Sequence, residues 1–251
     1  MRRSTRLFLV LAMVFSMASN AQFSKGNRMV GASVGSIFLN SGNSDHTVTS
    51  IGSLSVKTTG YGINFTPSMG WFLSENTIVG VSFLLNPSSD KVSSEENGST
   101  FQKDESRYLN VGLGGFIRNY FLKSGSFLPF GQFGFDAGIT SRKTEGFFYG
   151  GSGATVYKDT YDGKSSGGFF TNLVMSLGAT KMLGKHTGLD IQLGYNFHYT
   201  KNTMNITTFH DDGIDGVIDE TKPKETITKS TNHRFLISVG FQVFLEKRGK
   251  K

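Results

Sequence analysis

The sequence predicts an all-β chain, an up-and-down antiparallel eight-stranded transmembrane β-barrel, and three observations predict it. Apolar and polar residues alternate with a period of two in eight separate stretches, each about ten residues long, the length a tilted strand needs to cross a bilayer. The connections between the stretches alternate between short and long. The polar face of every stretch is made mainly of Gly, Ser, Asn, Thr and Gln, without the Lys and Glu that a water-facing exterior carries freely.

The chain opens with Arg2, Arg3 and Arg6, runs through the apolar Leu7–Phe15, and offers Ser19, Asn20 and Ala21 before Gln22. A charged start, an apolar centre of about ten residues and small residues at the cut describe a secretory signal peptide; a membrane helix needs about twenty. The expected organisation is a signal peptide over 1–21, cleaved after Ala21, and one barrel domain over 22–251.

Strands are expected near 28–38, 60–70, 78–86, 107–118, 128–139, 169–181, 188–200 and 232–245. Val30, Ala32 and Val34 oppose Gly31, Ser33 and Gly35 in the first; Tyr61, Ile63, Phe65 and Met69 oppose Gly62, Asn64, Thr66 and Ser68 in the second. Val79, Val81, Phe83 and Leu85 carry the third, Leu109, Val111 and Leu113 the fourth. Phe133, Phe135, Ala137 and Ile139 carry the fifth, Leu173, Met175, Leu177 and Ala179 the sixth. The seventh, "LDIQLGYNFHY", and the eighth, with Phe235, Ile237, Val239, Phe241 and Val243 on one face, complete the count. Connections are long at 40–58, 87–106, 141–168 and 201–231 and short at 72–77, 122–127 and 184–187. Short turns at one end and long loops at the other are the habit of membrane barrels. Pro67 cannot donate to a ladder, so a bulge or strand end is expected there.

A soluble eight-stranded barrel shares the period but turns its apolar face inward. Small polar groups suit the cramped lumen of an eight-stranded barrel and bulky apolar ones suit lipid, so the polar face is expected inside. The chain has no Cys, which removes disulfides, cysteine metal sites and a cysteine nucleophile. Its formal net charge of +7, three of it carried by the leader's arginines, implies no nucleic-acid partner.

The stretch "NFTPSMGWFLSENTIVGVSFLL" and the pair "FIRNYF" and "LPFGQFGFDAG" resemble recurrent hairpins of the small eight-stranded outer-membrane β-barrel proteins of Gram-negative bacteria, the OmpA/OmpX-like class of the porin superfamily. The resemblance covers essentially the whole mature chain. In the last strand Ser238, Gly240, Val243 and Leu245 resemble the signal read by the barrel-assembly machinery, although Glu246–Lys251 follows where the family ends on an aromatic. The resemblance implies residence in the cell outer membrane, contact with its lipid and lipopolysaccharide, and recognition of an extracellular ligand by the long loops.

Arg118, Gln132, Asp136, Asp190, Gln192, His198 and Arg234 fall on the polar face and form the expected lumen cluster, as structural pairs plugging the barrel or as the lining of a narrow selective path. The segment "HDDGIDGVIDE" holds five carboxylates; Asp211, Asp215 and Asp219 match calcium-loop positions, but Gly213 and Lys222 stand where two ligands belong, so Ca²⁺ is the one cofactor the sequence raises, on an incomplete ligand set, and no other is expected. His198 and Thr200 resemble the His and hydroxyl pair of outer-membrane lipid A deacylases, but that family's nucleophile is Ser and its pair faces lipid. No catalytic residues are expected. The resulting reading is a barrel with a packed polar lumen and a structural, adhesive or surface-binding role, with a narrow pore for ions or small solutes as the alternative and a lipid-modifying enzyme last.

Overall fold

The structure, a computed structural model, describes residues 21–48, 52–96, 99–152 and 155–246; apart from Ala21 the expected leader lies outside the described residues, as does the tail after Glu246. Its strands are β1 (Ala21–Gln22), β2 (Arg28–Val48), β3 (Gly52–Phe72), β4 (Thr77–Glu96), β5 (Ser99–Tyr120), β6 (Ser124–Gly125), β7 (Phe127–Ser152), β8 (Thr155–Met182), β9 (Thr187–Asp212) and β10 (Glu220–Leu245). Eight of them close into a barrel in the order β10-β2-β3-β4-β5-β7-β8-β9, every neighbour antiparallel, and β1 pairs with β6 outside that ring. The expected fold is present.

The apolar face looks outward. Leu113 is 70% exposed, Leu177 66%, Ile237 67% and Phe235 89%, and the exposed apolar residues form a band around the barrel. Such a band in water would be an aggregation surface; around a closed barrel it is the surface that meets lipid. Closure satisfies the backbone groups that lipid cannot.

The strands run well past the band, from 20 residues in β4 to 28 in β8, and the expected long loops at 87–106, 141–168 and 201–231 are largely strand. The period of two continues through these segments, with Thr, Tyr and charged residues replacing Leu and Phe on the outer face. Ion pairs between and along the strands, Lys91 to Glu105 at 3.4 Å and Lys143 to Glu145 at 3.2 Å, suit a sheet standing in water. Between β9 and β10 the true turn is only 213–219.

At the other end the connections are tight, as expected. Leu73 N donates to Thr77 O (2.8 Å) and Thr77 N to Ser74 Oγ (3.1 Å) at one turn, and Leu183 N to Thr187 O (2.9 Å) at another. Pro67 makes neither a bulge nor a strand end. It pairs in register with Ala32 of β2, and toward β4 the ladder simply skips from Phe65–Leu85 to Ser68–Ser82 without losing register. The bulge of this region lies across the ladder, between Gly35 and Phe38 of β2. Among the described residues β10 pairs with β2 from Ser238–Gly35 down to Leu245–Arg28, and no pair above that bulge joins them.

Candidate functional site

Lumen side chains stand in three levels. At the tight-turn end the inward positions turn apolar: Met29, Phe72, Ile78, Tyr120, Leu128, Phe130, Met182 and Phe244 are buried together. Phe23, from the segment between β1 and β2, fits among them with ring centroids 4.7 Å from Phe72, 4.7 Å from Phe244 and 5.1 Å from Tyr120. Only 3% of Phe23 is exposed, so the segment before the barrel stoppers its mouth.

The next level is a polar knot. Arg118 Nη1 donates to Asp190 Oδ2 at 2.6 Å, its Nε to Gln132 Oε1 at 2.8 Å, and its guanidinium lies 3.9 Å from the Phe130 ring centroid. Asp190 also accepts from Thr180 Oγ1 (2.6 Å) and Gln242 Nε2 (3.1 Å). Three donors on one buried carboxylate are what burial of that charge demands. Two expected lumen charges, Arg118 and Asp190, therefore meet.

Above the knot lies a cavity of about 110 Å³, lined by Gln132, Asp136, Asn172, Gln192, Asn196 and other small polar groups. Asp136 takes one hydrogen bond from Ser82 Oγ (3.0 Å), and Ser176 Oγ donates to Gln192 Oε1 (3.3 Å). Arg234 is a strand residue opposite Asn196 in the ladder, but its side chain lies outside the described residues. Phe170, fully buried, stands on β8 between Asn172 of this cavity and Thr200, its ladder partner, which lines the next. Its ring reaches across β7 onto Gly112, where an added Cβ would stand 2.7 Å from the ring edge; Gly138, between them in the ladder, likewise leaves no room for one.

A second cavity, about 250 Å³, opens beyond Phe170 and shares no lining residue with the first. Asn86, Asn110, Asn202, Asn232, His198, Thr200, Tyr108, Asp90 and Arg142 are among its walls. His198 is buried and its Nδ1 lies 2.5 Å from Asn172 Oδ1, so it is a lumen histidine as the period requires. Arg142 Nη2 donates to Ser106 Oγ (3.0 Å) and its guanidinium lies 5.1 Å from the Tyr108 centroid. Yet Arg142 Nε and Asn110 Oδ1 have no partner, and Arg142 has no ion pair among the described residues. Sequence reasoning missed Arg142 and Asp90, and it put Asn110 on the polar face without counting it in the cluster. Carrying the period of two past Ile139 would have placed Arg142 inward.

At the outer rim Asp211 accepts from Asp215 N (3.2 Å) and Gly216 N (3.1 Å), Asp215 from Val217 N (2.9 Å), and Asp219 from Asp212 N (2.7 Å). Gly213 and Gly216, with φ of 77° and 85°, and Ile214, with φ of 56°, take the left-handed steps of this turn. The three carboxylates hold the turn, and among the described residues no group of three or more metal-ligating side chains forms. His210 beside it contacts Asp159 (2.6 Å) and Asp212 (3.1 Å); the hydrogen bond to Asp159, above all, holds its imidazole above the ordinary histidine value. Ser238, Gly240, Val243 and Leu245 lie in the eight-pair stretch where β10 closes on β2.

No protein-family model matches the chain, and no curated protein matches it. Among solved structures it is similar to the outer membrane protein OprG from Pseudomonas aeruginosa, at 14% identity over 90% of this chain and 99% of that one, with a TM-score of 0.41. It is similar also to the outer membrane protein AlkL in lipid bilayers, at 14% identity over 91% and 94% of the two chains, TM-score 0.38. A third is the COG4313 outer membrane channel from Pseudomonas putida F1, at 10% identity over 89% and 97%, TM-score 0.25.

Proposed function

We propose that the chain, exported behind a leader cleaved after Ala21, is an outer-membrane barrel that works as a narrow gated conduit for small solutes. One observation carries the reading: the 250 Å³ upper cavity, a chamber of amides and hydroxyls in whose wall Arg142 and Asn110 hold unpartnered atoms. Buried polar atoms without protein partners are served by water or by a polar solute. The chamber stands above a second polar one, with Phe170 between them and Phe23 at the foot. Passage therefore needs Phe170 and Phe23 to move together with the Arg118–Asp190 knot and the apolar level beneath it, and an eight-stranded bore limits it to small molecules.

The test is the current carried by refolded protein in a planar bilayer, once the unheated form is seen to migrate differently from the boiled form on a gel. Discrete current steps that change in size or ion preference in Arg142→Ala support the conduit. Folded protein that stays silent and leaks no small solute from vesicles overturns it.

A second reading, surface binding, is favoured by the outward face of the extension, where Lys158 Nζ lies 5.7 and 5.5 Å from the rings of Phe147 and Tyr149. Neither reading gives the barrel a catalytic step. Insertion would use the β10 end, with Ser238, Gly240, Val243 and Leu245 read by the assembly machinery.

A further inference from the structure

Around the outside of the barrel, just above the apolar band, cations stand opposite cations. Arg107, Lys143 and Lys164 form one row across β5, β7 and β8, each directly opposite the next. The row above it is Glu105, Glu145 and Asp162, again directly opposed, so this row of positive charge is met by a row of negative charge. Arg107 and Lys143 indeed reach it, at 2.6 Å to Glu105 and 3.2 Å to Glu145.

Lys201 of β9 and Lys229 of β10 also stand directly opposite one another, and no acid meets them. Their outward neighbours along the strands are Tyr199, Thr203, Ile227 and Thr231, and neither lysine has an ion pair among the described residues. Like charges directly opposed in a ladder repel, so an unmet pair weakens the sheet unless something anionic lies between them. The pair lies next to the apolar band. Tyr199 is the outward residue before Lys201 on β9, and its ring centroid is 5.8 Å from that of Phe169, the residue directly opposite Lys201. These rings make the aromatic girdle expected at a membrane boundary. Lysine stems lying over such rings carry the amino groups up to headgroup level.

We infer that Lys201 and Lys229 together bind a phosphate group of an anionic lipid in the outer leaflet. The shared chemistry is that of any phosphate, and the height of the pair assigns it to lipid. This goes beyond the conduit and holds whether or not the lumen conducts; it needs only that the barrel span the membrane.

The experiment compares the full mature chain with Lys201→Gln/Lys229→Gln in micelles titrated with purified lipopolysaccharide, bound lipid being counted by native mass spectrometry. A lysine near an anionic surface is worth about a five-fold change in affinity, so the double variant is expected to bind roughly twenty-five-fold more weakly. Lys201→Arg/Lys229→Arg should bind as the wild type does, and a Lys103→Gln control, on β5 beyond Glu105, should not weaken binding. Equal lipid binding by wild type and the Gln variant overturns the inference, as does displacement of the lipid by inorganic phosphate at comparable concentration. A variant that fails to fold shows no mobility shift on unheated gels, and salt titration of wild-type binding then decides: lipid held by these charges is released by salt, and lipid held by the apolar band is not.

Discussion

Arg118 and Asp190, 72 residues apart in sequence, form a buried ion pair of 2.6 Å on opposite sides of the lumen, with 5% and 3% of their side chains exposed. Removing one partner leaves the other charged, buried and unanswered. Arg118→Ala or Asp190→Ala is therefore expected to lower stability by about 3–5 kcal/mol, whereas Arg118→Met/Asp190→Leu together should recover most of the loss. Urea titration in detergent micelles, followed by the gel mobility of the unheated form, reads both. Equal losses in the single and double variants would show that packing of the stems, not charge, holds this level.

Phe23 is the stopper that can be withdrawn without touching a barrel strand. Its three ring neighbours belong to β3, β5 and β10, so its removal loosens the apolar level at the mouth while every ladder stays intact. Phe23→Ala should raise the single-channel current or the open probability, and Phe23→Trp should keep the mouth shut. An unchanged current in Phe23→Ala would place the closed point elsewhere, at the Arg118–Asp190 knot or at Phe170.

Most of the barrel could be read in the sequence because lipid and lumen impose opposite chemistry on alternate residues. Leu189, Ile191 and Leu193 declare one face as plainly as Asp190 and Gln192 declare the other. What could not be read follows from the same rule. Above the band water replaces lipid, the outer face turns polar, and the alternation loses its contrast, so Lys143–Glu145 and Thr203–Asn205 resemble loop although they are strand. Below the polar lumen the inner face turns apolar, so Phe72, Tyr120, Phe130 and Phe244 resemble lipid-facing residues out of step. Of the expected lumen cluster, Arg118, Gln132, Asp136, Asp190, Gln192 and His198 are legible from parity alone. Arg142 was hidden in a segment taken as loop, and Phe23 lies before the first barrel strand, where no period exists.

His210 makes the outer rim pH-dependent. Its imidazole is held above the ordinary value of about 6.5, first by the hydrogen bond with Asp159 and then by Asp212. A raised value means that protonation is favoured by the folded rim, so this contribution is fully present below about 6.5. It is lost as pH rises through the folded value. Because Asp219 N donates to His210 O at 2.8 Å, exchange of the Asp219 amide should quicken over that window, and His210→Gln should remove the pH step. A step that survives in His210→Gln would assign it to another group.

The acidic turn is expected to stand without calcium. Asp211, Asp215 and Asp219 already accept backbone N–H groups at 2.7–3.2 Å, and a cation would have to displace them. Isothermal titration with Ca²⁺ should give no heat, and Asp211→Ala should loosen the turn with or without the ion. A saturable heat that vanishes in Asp211→Ala would reverse this.

Gly112 exists for Phe170. A Cβ at Gly112 would stand 2.7 Å from the Phe170 ring and 2.8 Å from Ala137 O, and the latter cannot yield because it belongs to the β7 ladder. Gly112→Ala should therefore cost about 1–3 kcal/mol, the usual penalty of overpacking. Phe170→Leu, which removes the ring edge but not the carbonyl, should relieve only part of that cost when the two are combined. Phe170→Ala alone acts differently: it removes the partition between the two cavities and should raise the current of a conducting barrel while leaving the Gly112 wall undisturbed. Measuring stability and current on the same four proteins separates the two roles of the ring. A current that rises in Phe170→Ala makes it a gate, whereas loss of stability without any change in current makes it a strut between β8 and β5.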